Sequence, residues 1–185
     1  MKTVVVIYDT KYGRTEQMAR CIYETISKFS LIECHMISTA NVSGNWKLIS
    51  GSDAIIFGSP TFFGSVSASF KQFMDSTSVF FFEQKWKDKF AAGFTCSSEA
   101  SGDKLTTLIQ ISIFCAQHGM NWVNLGLGKA GDYADTDNEN NLNRLGCWLG
   151  AAAQPDKDNG CVNKADLGTC KHLAQRVANI ILRCN

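Results

Sequence analysis

Net charge is what this sequence has least of: 18 Lys and Arg stand against 17 Asp and Glu, leaving +1. Such a balance offers no electrostatic footprint for nucleic acid or for an anionic membrane, so neither is expected as a partner. No apolar stretch approaches the roughly 20 residues that cross a bilayer, and Met1-Lys2 leads into a strand-like run too short for a signal sequence. The expected address is therefore the cytoplasm. Eight cysteines contain no C-x-x-C pair, so the spacing writes neither a zinc site nor a thioredoxin-type motif, and no metal is expected. A reducing compartment disfavours disulfides, and Cys21, Cys115, Cys170 and Cys184 fall in helical apolar patterns that suit small buried side chains. Internal repeats and low-complexity tracts are absent.

What is present suits one domain spanning 1–185: 45% hydrophobic and 19% charged residues are ordinary values, and a chain of this size buries roughly 70% of its unfolded surface. Val4–Tyr8 is a continuous apolar run, after which Met18, Ile22, Ile26 and Phe29 recur at helical spacing. Strand followed by helix then repeats. Leu31–Ile37, Asp53–Ser59, Phe90–Thr95 and Asn121–Gly126 read as further strands. Helical patterns cover Trp46–Ser50, the stretch holding Val66, Phe70, Phe73 and Met74, and about Asp103–Gln117 and Asp166–Arg183. Five strands alternating with helices predict an α/β fold, a doubly wound parallel sheet with helices on both faces. The segment 127–160 breaks the rhythm: from Gly126 to Gly160 six glycines occur without sustained period, which marks a long loop or insertion before the last helix.

In such sheets ligands bind outside the carboxyl ends of the strands. Three loops there are rich in Gly, Ser and Thr: "DTKYGRT" after the first strand, "SPTFFGS" after the third and "TCSSEASGD" after the fourth. The first precedes a helix, where unpaired N–H groups and the helix dipole favour an anion; Thr10 and Thr15 add hydroxyls, Gly13 close approach and Arg14 charge. Phosphate is the natural occupant, although the Walker spacing is missing and Asp9, Thr10 and Thr15 could simply cap the helix. Phe62 and Phe63, in a turn between Pro60 and Gly64, suit stacking on a flat ligand or folding into the core.

"YDTKYGRTEQMA", "GSPTFFGSVSASFKQFMD" and "CAQHGMNWV" together resemble the flavodoxin-like flavoproteins, most closely the NAD(P)H:quinone oxidoreductases of the Trp-repressor-binding-protein type. The resemblance runs from Lys2 to about Gly126 and resumes weakly near Leu149–Ala152 and in the last helix. It implies a flavodoxin-like fold with FMN as cofactor. The phosphate would lie at Thr10, Lys11, Tyr12, Gly13, Arg14 and Thr15, and the ring against Pro60, Thr61, Phe62, Phe63 and Gly64 on one side and Thr95, Cys96, Ser97 and Ser98 on the other. His118 matches a family histidine beside the flavin, which makes it the catalytic candidate. NAD(P)H and a quinone-like acceptor are the implied partners, and a homo-dimer or homo-tetramer the implied assembly. The chain departs from the family in four places: Phe62 replaces an Arg, Glu99-Ala100-Ser101 interrupt a glycine run, Phe81 replaces a Trp that a neighbouring subunit contributes, and Leu149 replaces a Tyr.

Other patterns carry less. "GLGKAG" matches G-x-G-x-x-G but is followed by no helical period. Asp135, Asp137 and Glu139 suggest a calcium loop, yet Asn140 and Gly146 stand where Gly and Glu are required. His118 could cap a helix end. Asp9 suggests a phospho-accepting receiver domain, but the third strand ends in "FGSP" without an acceptor Asp. The expected function is FMN-dependent transfer of two electrons from NAD(P)H to a quinone. The alternatives are a flavodoxin-type one-electron carrier, usually acidic, and an interaction module that has lost FMN.

Overall fold

The computed structural model describes residues 1–156 and 160–184. Its elements, in chain order, are β1 (Lys2–Tyr8), α1 (Arg14–Ile26), β2 (Ile32–Ser38), a 3-10 turn (Thr39–Gly44), α2 (Trp46–Gly51), β3 (Ala54–Phe62), β4 (Ser65–Val66), α3 (Ala68–Ser76), α4 (Ser78–Phe82), β5 (Phe90–Cys96), α5 (Lys104–Gln117), β6 (Asn121–Trp122), β7 (Ala151–Ala153) and α6 (Lys164–Arg183). The sheet order is β2-β1-β3-β5-β6, with β1, β2, β3, β5 and β6 all parallel. Strand order reverses at β1, so the carboxyl ends of β1 and β3 flank the crevice typical of doubly wound sheets.

Strand alternation divides the core in two. Val4 and Val6 of β1 and Ile56 of β3 pack with Met18, Ile22, Leu173 and Val177 of α1 and α6. Val5, Ile7, Ile55 and Phe57 face the other way, onto Phe70, Phe73, Trp86, Ile111 and Phe114. Period-two side-chain direction in a strand buried on both sides requires this, which is why β1 and β3 are apolar at every core position.

Two findings modify the sequence reading. The fifth strand is split: β6 pairs with Phe90–Ala91 and β7 with Phe94–Cys96, so both lie along one edge of β5. The long segment thus interrupts this strand and begins before position 127. Re-entry is tight, since a Cβ on Gly150 would lie 2.3 Å from the Gly93 carbonyl oxygen. The third strand also continues beyond Ser59 through Phe62, because β4 folds back on it as an antiparallel hairpin. Of the four helical cysteines, Cys115 and Cys170 are buried, Cys21 is half-buried, and Cys184 is exposed just past α6, where the apolar stripe has ended. No helix among the described residues is long and apolar enough to cross a membrane.

Candidate functional site

The loops after β1, β3 and β5 enclose a cleft of about 550 Å³, within the range of small-molecule sites. Its walls are Thr10, Lys11, Tyr12, Arg14 and Thr15 from the first loop, Pro60, Thr61, Phe62, Phe63 and Gly64 from the second, and Cys96, Ser97 and Ser98 from the third. Glu99, Gly102 and Asp103 also line it, three residues that the loop motif contained but that carried no sequence signal for contact. Gly13 and Thr95 do not line it. Gly13 caps α1 at φ 79° and donates its N–H to Thr10 Oγ1 at 3.0 Å, a backbone role. Thr95 is fully buried beneath the cleft, where it donates to the Ser59 carbonyl and lies 2.7 Å from the Thr61 hydroxyl.

The first loop leaves its polar groups open. The N-cap of α1 is Gly13, which has no side chain to cap the first turn, and Thr10 meets only the Gly13 N–H, so Asp9, Thr10 and Thr15 do not cap the helix. Asp9 instead accepts from Ser67 (2.6 Å), Ser69 (2.8 Å) and Thr39 (3.2 Å), which ties the end of β1 to the start of α3. The Thr15 hydroxyl has no hydrogen-bond partner among the described residues. Arg14 is braced, its Nε donating to the Gly160 carbonyl at 3.1 Å and its Nη1 to Ser98 Oγ at 3.2 Å. That brace holds the first loop, the third loop and the end of the insertion together.

The second loop presents its aromatics to solvent: Phe62 is 37% exposed and Phe63 fully so, with φ 51°, and Tyr12 of the first loop is also exposed. Flat apolar surfaces at the lips of the cleft suit a planar ring. In the third loop, Ser97 Oγ is buried without a partner. Burial pushes the Cys96 thiol up to about 11, so it stays protonated and is no nucleophile. Unmet amides at a helix N-terminus, an orphaned hydroxyl and exposed aromatics fit a ligand with a phosphate at one end and a flat heteroaromatic ring at the other.

His118 lies elsewhere. It ends α5, and 14 residues at about 1.5 Å each put it about 21 Å from the cleft end of that helix. It is 3% exposed, its Nε2 3.0 Å from Thr77 Oγ1 and its ring against Trp86 (4.6 Å) and Phe114 (4.7 Å). Burial lowers its pKa to about 4, leaving the imidazole neutral at pH 7. It floors a second concavity of about 280 Å³, with Phe81 6.0 Å away at the rim.

The insertion offers no nucleotide or calcium loop. No helix follows "GLGKAG", and Asp137 and Glu139 pair separately with Lys164 and Lys171.

Known proteins similar to this chain include FMN reductases and flavodoxins. Residues 3–128 match the family described as NADPH-dependent FMN reductase. The chain is 38% identical to flavodoxin FldP of Pseudomonas aeruginosa, over 97% of both chains. An NAD(P)H dehydrogenase (quinone) of Archaeoglobus fulgidus is 36% identical over 69% of this chain and 59% of its own length. Among solved structures, a WrbA-like flavodoxin from Agrobacterium tumefaciens superposes with TM-score 0.78 at 31% identity, covering all of both chains. The fold, the cleft and these matches lead to one assignment: this is a flavodoxin-like FMN protein that belongs to the NADPH-dependent FMN reductase family.

Proposed function

We propose that the protein takes two electrons from NAD(P)H and passes them to a quinone-like acceptor, using FMN held in the cleft. The observation that carries this reading is the open, aromatic-lipped cleft, which leaves a planar substrate room to reach the ring. The near-zero net charge supports it, since a carrier that docks on proteins relies on a strongly charged face. When bound, FMN supplies hydride acceptance and release; the protein supplies position and electrostatics.

The roles follow from the chemistry of each group. Backbone amides of the first loop, with the Thr15 hydroxyl, would hold the phosphate; Tyr12, Phe62 and Phe63 would cover the ring, and third-loop amides would donate to its polar edge. His118 is too far from the cleft of its own chain to take part there. We assign it, with Phe81, to the cleft of a second copy in a homo-dimer or homo-tetramer, where a neutral imidazole steadied by Thr77 orients an acceptor carbonyl. The exposed Val79, Phe81 and Phe82 on α4 and Leu105, Ile109 and Ile113 on α5 supply apolar surface for that contact.

Initial-rate kinetics test the reaction. Parallel double-reciprocal lines for NAD(P)H against a soluble quinone support alternating occupancy of one site; intersecting lines overturn it. The full-length match to a flavodoxin favours a second reading, a one-electron carrier. Two widely separated one-electron potentials would favour the carrier, a single two-electron wave the enzyme.

A further inference from the structure

Lys104, the first residue of α5, is 3% exposed, yet it forms no ion pair among the described residues. Its ammonium instead donates to the carbonyls of Glu99, Ala100 (3.2 Å) and Ser101 (3.4 Å). Those three acceptors use all three of its protons. The one buried carboxylate nearby, Asp166, shares its surroundings without a hydrogen bond to it, held through Oδ2 by Arg144 at 2.8 Å and by the Gln154 N–H at 2.8 Å. A buried cation with only neutral partners is strongly disfavoured unless an anion shares its surroundings.

Peptide geometry carries this further. Every peptide bond among the described residues is trans, so the N–H that follows a carbonyl points the opposite way. With the carbonyls of 99, 100 and 101 drawn onto Lys104, the amides of Ala100, Ser101 and Gly102 face away from it. No amide from Ser98 to Asp103 has an acceptor among the described residues, and Glu99, Gly102 and Asp103 line the cleft. Gly102 completes the turn at φ 53°, where a Cβ would meet Ser97 Oγ at 1.9 Å. Successive amides facing one way form an anion-binding concavity.

We propose that Lys104 is a positioning residue for the cofactor. It holds the third-loop carbonyls on the buried side, turns the loop amides away from itself with that of Gly102 at the cleft wall beside the FMN ring, and sets a buried positive charge behind them. One lysine and one glycine thereby replace the glycine run of the resembled family. The consequence is a ring that is bound more tightly and reduced more readily. This inference rests on the cleft being the seat of FMN, and it holds for either acceptor.

The test uses FMN titration, read by flavin fluorescence quenching, and equilibrium redox titration of the saturated proteins. Lys104→Gln, one atom shorter, keeps two donors but removes the charge; Lys104→Met removes donors and charge; Lys104→Arg restores the charge. We expect Lys104→Met to weaken FMN binding about ten-fold, as losing charge-assisted order in the loop should. Lys104→Gln should bind nearly as well as wild type but show a more negative midpoint potential, and Lys104→Arg should recover the wild-type potential. Should Lys104→Met fail to fold, the Gln and Arg pair still decides, since both retain donors for the carbonyls. Equal potentials in wild type, Gln and Arg variants overturn the inference while leaving the FMN seat intact. A wild-type protein that takes up no FMN overturns the seat and this inference together.

Discussion

The two ends of α5 solve opposite problems. At its N-terminus, Lys104 and the preceding loop leave a row of amides without partners beside an open cleft. At its C-terminus the backbone is closed by Gly119 N–H on the Ala116 carbonyl and Met120 N–H on Cys115, and a neutral histidine is packed among aromatic rings. One end keeps a row of backbone amides unmet, as a ligand site must; the other closes its backbone and leaves the buried His118 Nδ1 without a partner among the described residues. The lesson is that two parts of one family motif, loop and histidine, need not serve one cleft in one chain.

The sharpest challenge to this contrast is complementation. A Thr15→Val variant, disabled at the cleft end, mixed with a His118→Gln/Phe81→Asp variant, disabled at the far end, should regain quinone reductase activity that neither has alone. Mixed samples as inactive as their components would place both ends in separate functions.

At the cleft end alone, replacing Thr10 and Thr15 together by Ala should weaken FMN binding by about 100-fold, near 3 kcal/mol for two charge-assisted hydrogen bonds. The apo-protein should melt within a few degrees of wild type, as differential scanning fluorimetry would reveal, because neither hydroxyl caps α1.

At the far end the expected signature is pH. His118 titrates near 4 when folded and near 6.5 when unfolded, so the unfolded state binds more protons between those values. Its contribution is fully present above about pH 6.5 and is lost as pH falls toward 4. Unfolding by urea at pH 7 and pH 5 should differ by about 2 kcal/mol from this group, and His118→Gln should remove that difference.

The smallest effect belongs to the hinge between the first two loops. Ser67 caps α3, accepting from the Phe70 N–H at 3.3 Å while donating to Asp9. Ser67→Ala should lower stability by about 1 kcal/mol in chemical denaturation and loosen FMN binding by a few-fold at most.

The residues made much of this legible. Val4–Tyr8 and Asp53–Ser59 are apolar at every core position because both faces of their strands are covered, and the switch to helical spacing after each names the βα unit without reference to anything distant. The three Gly/Ser/Thr loops could be placed at one end of the sheet for the same reason: in a parallel sheet every strand ends on the same side. Other features lay beyond such reading. The split of the last strand depends on Gly150 passing close to Gly93, a contact between residues far apart in sequence. Thr95 sits in a motif of cleft residues, yet strand pleating turns it beneath the cleft. Lys104 carries no sequence signal, since nothing local indicates that its side chain will be buried under its own loop.

Periodicity and composition, then, determine elements and class, because the hydrophobic face of a strand or helix is written within a few residues of itself. From those alone follow an α/β fold, phosphate-ready loops and a resemblance to FMN proteins. Which atoms converge was settled by packing across the sheet: the brace of Arg14 on Gly160 and Ser98, the hydroxyls of α3 and the 3-10 turn gathered on Asp9, the helix length separating His118 from the cleft, and the burial of Lys104 under the carbonyls of its own loop. Each depends on segments distant in sequence or on the depth to which a side chain is buried. Chain order alone specifies neither.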